Sequence, residues 1–303
     1  MSGQVLTFRK VSRRFGSTVA LDGLDLNVEP GTVLGLIGRN GAGKSTSLRL
    51  ALGHLHPDAG DIRVLGHDPV TEGIKVREQV GLMSEEASLY GWMTVREIMT
   101  FAAGLHPNWD PAFAESFRKR LDLDPKRKIK DLSRGNKAKV SLVLAVAVRP
   151  RLLLLDDPTS GLDPLVRREV LEGVLESVPA EGGAVVYASH LIHDVERIAD
   201  QVTVLDEGKS ILEGDLEKIK ARVRRVRAVF ENEPPEQLTL PGLVSVEREN
   251  RTLLVVADGA NGELEQALQN AGAVNVTVEP LPLEEILVAC LKGSGLTEDD
   301  DHA

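Results

Sequence analysis

Residues 5–8, Val-Leu-Thr-Phe, form a strand-like run, and over 24–28 apolar and polar positions alternate with the two-residue period of a half-buried strand. The turn signal Glu29-Pro30-Gly31 follows. Next comes the unbroken apolar run Val33-Leu34-Gly35-Leu36-Ile37, which predicts a strand covered on both faces. A glycine-rich stretch then opens a helical pattern over 45–52, so the unit reads strand, loop, helix. The chain is more polar from about residue 81 to 130 and reads as mostly helical, most clearly over 111–121. Buried runs return at 152–155 and 184–188, on either side of a helical pattern over 165–178. This alternation predicts an α/β fold with a mostly parallel sheet.

The texture changes beyond about residue 220. Asn232-Glu233-Pro234-Pro235 and Leu240-Pro241-Gly242 break the chain. Strand patterns over 253–256 and 275–278 flank a helical pattern over 262–271, which predicts a small α+β domain over 221–292. Residues 293–303 form an acidic tail, expected to be frayed. Residues 218–227 carry six basic side chains and read as a strand with a basic face. That strand is either a sheet edge protected by charge or a contact for an acidic surface.

Composition narrows the function. The 303 residues are 42% hydrophobic and carry 36 basic against 46 acidic side chains, a net charge of −10. No nucleic-acid partner is expected from such a balance. The longest apolar stretch, 140–148, falls short of the ~18 residues that a membrane helix needs. The lone Cys290 and an N-terminus without secretion-signal features point to the cytoplasm.

The candidate chemistry begins in the glycine loop. Gly38-Arg39-Asn40-Gly41-Ala42-Gly43-Lys44-Ser45-Thr46 fits G-x-x-x-x-G-K-[ST] between a buried strand and a helix, the context that this motif requires. Glycines let backbone N–H groups wrap phosphates, the helix N-terminus adds positive potential, and Lys44 reaches the β and γ oxygens. Ser45 offers a hydroxyl to Mg²⁺. Asp156 ends the run Leu152-Leu153-Leu154-Leu155, where open α/β sheets place ligand chemistry, and it suits the same ion. Asn136-Lys137-Ala138-Lys139 ends in the wrong residue for a guanine reader. Further along lie Leu132-Ser133-Arg134-Gly135-Asn136, Ser160-Gly161-Leu162-Asp163 and His190.

In that order these motifs resemble the ATP-binding subunits of ABC transporters over roughly residues 4–220. The resemblance implies a P-loop α/β ATPase with an antiparallel N-terminal β-subdomain, a helical subdomain inserted at about 82–150 and a small accessory domain. It assigns Phe15 to adenine stacking, Ser133, Arg134, Gly135 and Asn136 to the signature facing a partner's ATP, Asp163 to the D-loop and His190 to the switch. Two subunits would pair head to tail, as a homodimer or with a related ATPase. The bland alternatives are a core aromatic at Phe15 and an ordinary loop histidine at His190.

Three motifs depart from the family pattern, at four positions. Glu85 stands for the usual glutamine; it can still ligate Mg²⁺ but brings negative charge toward the phosphates. Arg134 and Asn136 replace the first glycine and the glutamine of the signature. Asp157 stands where the family has its glutamate base, and one lost methylene matters when about 1 Å of misplacement is costly, so slow hydrolysis is expected. Tyr90 and Trp92 lie where the family docks a separately encoded transmembrane permease, unless they merely pack the subdomain. Residues 279–287 resemble the tail of subunits that serve ABC-2 type exporters. The leading expectation is the ATP-hydrolysing, Mg²⁺-dependent subunit of an exporter, peripheral on the inner face of the cell membrane. The alternative is a non-transport ATPase switch, against which stand the single ATPase unit and the lack of a coiled-coil insertion.

Overall fold

A computed structural model describes residues 3–85, 89–177, 182–235, 238–259 and 262–294. The chain divides into two compact units after Ser210. The tail expected over 293–303 lies almost wholly outside the described residues.

The first unit opens with β1 (Leu6–Phe15) and β2 (Thr18–Val28), an antiparallel hairpin that runs well past the two short strand-like runs of the sequence. Then follow β3 (Val33–Gly38), α1 (Lys44–Ala51), β4 (Ala59–Val64), α2 (Gly73–Arg77) and β5 (Val80–Met83). β4 pairs with β1, which completes an antiparallel sheet of order β2-β1-β4. The helical stretch contains α3 (Val95–Leu105) and α4 (Pro111–Arg120), and α5 (Arg134–Val146) leads back to the sheet. Next come β6 (Leu152–Asp156), α6 (Pro164–Ser177), β7 (Ala184–Ser189), α7 (Ile192–Ile198) and β8 (Gln201–Asp206). β9 (Lys209–Asp215) joins β8 through the two-residue turn Glu207-Gly208, both at positive φ, the conformation tight hairpins select. The second sheet has the order β5-β6-β7-β3-β8-β9, and its first five strands run parallel.

Burial explains why the apolar runs sit in the middle. Leu152, Leu154, Val186 and Leu36 are buried on one contiguous core with Leu21, Leu24 and Leu48. Each such side chain contributes about 1.5–3 kcal/mol when removed from water. Because β3 lies between β7 and β8, its C-terminal end and the ends of β6 and β7 open on the same edge of the sheet. The candidate chemical residues follow those ends directly.

The second unit holds α8 (Leu216–Arg222), β10 (Val223–Phe230), β11 (Leu243–Glu249), β12 (Thr252–Asp258), α9 (Gly262–Asn270), β13 (Ala273–Pro280) and α10 (Leu283–Ser294). Its antiparallel sheet has the order β11-β12-β10-β13. The basic stretch therefore differs from the strand expected of it. Residues 216–222 are helical, capped by the Asp215 carboxylate that accepts from the Lys218 N–H, and only the remainder enters a strand. That strand lies inside the sheet, bonded to β12 on one side and β13 on the other, so the edge-strand reading is wrong. Two charges of the basic stretch are met locally: Arg222 pairs with Asp258 at 3.0 Å and Arg225 with Glu285.

Candidate functional site

The loop between β3 and α1 has the backbone its glycines predict. Gly41 and Gly43 adopt φ of +90° and +109°, and a Cβ on Gly43 would come within 2.6 Å of the Ala20 carbonyl. Lys44 is buried at the head of α1, and its Nζ donates to the carbonyls of Gly38 at 2.8 Å and Arg39 at 3.2 Å. Ser45 Oγ donates to Asp156 Oδ1 at 2.9 Å. Burial depresses the Lys44 pKa, against the pull of Asp157, Asp156 and Glu85. Burial also raises the Asp156 carboxyl, with Asp157 and Glu85 adding to it and the Ser45 hydroxyl opposing. One ammonium thus faces three carboxylates.

An adjacent hydroxyl and carboxylate oxygen suit a hard cation such as Mg²⁺. Among the described residues no group of three or more His, Cys, Asp or Glu side chains is arranged to hold a metal unaided. Such an ion would therefore share its coordination with phosphate oxygens and water.

Asp157 takes φ of +43°, in the left-handed region that aspartate tolerates better than most residues. Its Oδ1 accepts from Ser189 Oγ at 3.0 Å, from the His190 backbone N–H at 3.1 Å and from His190 Nδ1 at 2.8 Å. An ionised carboxylate can only accept, so Nδ1 carries a proton and Nε2 is turned away from Asp157. Asp157 is buried, whereas His190 is 37% exposed at the mouth.

The remaining predicted residues fall around this cluster. A cleft of about 170 Å³ brings Glu85, Arg134, Lys137, Asp157 and Ser160 together. Ser133 caps α5, its Oγ accepting from the Asn136 N–H at 3.2 Å, and Gly135 packs closely on Val166. Arg134 lays its guanidinium 2.5 Å from the place a Cβ would take on Gly161. Asp163 Oδ1 accepts from the N–H groups of Leu165 and Val166 and so caps α6. Asn40 is exposed on the loop, Ala42 is buried and Thr46 is half-buried. Phe15 is 46% exposed, with the Arg13 guanidinium 4.9 Å from its ring, which removes the core-aromatic alternative. Its strand partner Thr18 is two residues from Ala20, which touches the glycine loop.

Sequence reasoning missed Ser189, Thr159, Tyr187 and Asp194. Ser189 holds Asp157, and Thr159 Oγ1 bonds both Asp194 Oδ2 and the Tyr187 hydroxyl. Ser189 precedes the singled-out histidine and Thr159 follows Asp157 by two residues, so proximity in the chain was the only available signal.

Apart from this site, Leu82, Tyr90, Ile98, Phe101, Leu105 and Val148 line a groove of about 350 Å³. Trp92 is 68% exposed beside Tyr90, whose ring stands edge-on to Phe101.

The family model for ABC transporters matches residues 21–160. The daunorubicin resistance ATP-binding protein DrrA3 of Streptomyces coeruleorubidus is 37% identical over 226 residues, covering 73% of this chain and 71% of that protein. The Nod factor export ATP-binding protein I of Burkholderia pseudomallei (strain 1710b) is 35% identical over 71% of this chain and 72% of its own. The ABC transporter ATP-binding protein YtrB of Bacillus subtilis (strain 168) is 26% identical over 95% of this chain and 99% of its own. Among solved structures, an ATP-binding subunit of an ABC transporter superposes with a TM-score of 0.65 at 28% identity, over 72% of this chain and 92% of that one. CbiO1 of Clostridium perfringens, part of the ABC transporter complex CbiONQ, gives 0.63 at 26% identity, over 72% and 91%. This chain belongs to the ATP-binding subunits of ABC transporters. Membership carries with it a P-loop ATPase fold, ATP binding and hydrolysis, and service to a transporter with a membrane permease as partner. Among the described residues no helix is long and apolar enough to cross a membrane.

Proposed function

We propose that the chain hydrolyses MgATP for an exporter, two copies sandwiching two nucleotides while each docks a permease at the inner face of the cell membrane. The convergence of Lys44, Ser45, Asp156, Asp157 and His190 on one sheet edge carries this reading. Lys44 and the loop N–H groups bind the β and γ phosphates, and Phe15 stacks on adenine. Ser45, Asp156 and Glu85 would hold Mg²⁺, which when bound neutralises charge building on the phosphates. Asp157 orients the attacking water through the oxygen that Ser189 and His190 leave open, and His190, carrying a proton on both ring nitrogens, donates from Nε2 to the γ-phosphate. Ser133, Arg134, Gly135, Asn136 and Asp163 face the nucleotide of the second subunit. The export direction rests on the names of DrrA3 and the Nod factor protein. Docking is supported by the apolar groove and the exposed Trp92, which suit an amphipathic helix of a membrane partner.

Purified protein should release phosphate from ATP when Mg²⁺ is supplied and stop when it is chelated. Lys44→Ala should bring the rate to background. Trp92→Ser should leave that rate unchanged and weaken co-purification with the permease. Background activity of the parent with Mg²⁺, alone and with the permease, would overturn the hydrolysis reading.

A further inference from the structure

Behind the catalytic cluster lies a buried hydrogen-bond chain for which the chemistry above has no use. Thr159 and Asp194 are fully buried and joined at 2.6 Å, hydroxyl to carboxylate. The single Thr159 proton goes to Asp194, so the fully buried Tyr187 must donate to Thr159, at 2.9 Å. The order is Tyr187 to Thr159 to Asp194, each bond polarising the next. Asp194 Oδ1 has no partner among the described residues, and Arg167 stands 3.7 Å from Oδ2. A buried carboxylate that is half satisfied costs stability, so stability alone does not account for it.

Its placement suggests what it does. Thr159 is the residue before the 160–163 loop, and Tyr187 and Asp194 lie three residues before and four after His190. Asp194 is on α7, which begins two residues beyond His190, and Arg167 is on α6, which follows the loop. Two segments on different strands are thus tied twice: by Asp157 to Ser189 and His190 in front, and by Thr159 to Tyr187 and Asp194 behind.

We propose that Thr159, Tyr187 and Asp194 are positioning residues that lock the 160–163 loop to His190, so that the loop facing the second subunit's nucleotide and the histidine facing this subunit's own move as one body. This rests on the hydrolytic role given above to His190. The Thr159 hydroxyl is the joint. Without it only the Asp157 tie in front holds the two segments and the aim of His190 loosens, at a cost on the chemical step and not on ATP binding.

The test compares kcat and KM for MgATP, and melting temperature, across single and double variants. Thr159→Val keeps shape but loses the hydroxyl and should lower kcat roughly tenfold or more, with KM within about twofold. Thr159→Ser restores the donor and should recover most of the rate. Combined with His190→Ala, Thr159→Val should add almost nothing further, because the two act through one element. If Thr159→Val does not fold, Tyr187→Phe, which removes only the outer hydroxyl, enters the same comparison. A lowered melting temperature with parental kcat overturns the proposal. So do additive losses in the double variant, or a His190→Ala variant at the parental rate. Asp157→Asn at the parental rate would overturn the assignment of the base alone, since Thr159 is read against His190.

Discussion

Asp157 combines three features that composition cannot convey: a positive φ, burial, and three donors on one carboxylate oxygen. The donors draw the carboxylate back toward β7 and leave its other oxygen for water. One methylene more would carry that oxygen forward. Asp157→Glu should therefore raise the steady-state ATPase rate, roughly tenfold if 1 Å of placement is the limit. Asp157→Asn should lower it by about a hundredfold or more and prolong the ATP-bound dimer. Phosphate-release assays decide both, and an Asn variant at the parental rate would move the base elsewhere. Lys44, Ser45 and Asp156 were legible as a motif because their spacing is local to one loop and one strand end. The grip of His190 and Ser189 on Asp157 spans more than 30 residues, and no local period reports it.

Helix α3 shows how an element serves the groove. Thr94 Oγ accepts from the Glu97 N–H, and the Glu97 carboxylate accepts from the Thr94 N–H and hydroxyl, a reciprocal cap. The backbone bond, then the hydroxyl, hold Glu97 below its ordinary pKa. A lowered folded-state value stabilises above the unfolded pKa of roughly 4.3 and is lost as pH falls through the lower folded value. Thr94→Ala should cost about 1 kcal/mol at neutral pH. Its deficit should shrink in acid, as melts at pH 7 and below pH 4 will show; an equal deficit at both would assign the loss to packing. Because α3 carries Phe101 and Leu105, fraying its first turn should also weaken permease binding. The sequence pattern marked this stretch as helical but hid β5 within it, since a four-residue strand is too short to show a period.

The proposed pairing of two copies belongs to the whole molecule. Ser133 is exposed at the head of α5, and Asp163 caps α6. Ser133→Arg should abolish ATP-induced dimers by crowding the facing nucleotide while monomers bind ATP as before. Sedimentation with ATP in the Asp157→Asn background reads this directly, and undiminished dimers would sink the sandwich.

Motif order, the buried strands β3, β6 and β7 and the α/β class were written in the chain, because each depends on residues within about one element of each other. Position within a sheet was not. Residues 223–230 look like a charged edge until β13, arriving some fifty residues later, pairs on the open side. Likewise, the strand-like run over 5–8 holds no measure of the β1 length, which depends on partners in β2 and β4. Side-chain chemistry divides in the same way. Lys44 could be named from its loop, whereas the Tyr187, Thr159 and Asp194 chain exists only because parallel pairing of β6 with β7 brings two loop segments together. Local period and turn chemistry act through neighbours in the chain, but hydrogen-bond partners across a sheet are chosen by packing, which the linear pattern does not encode.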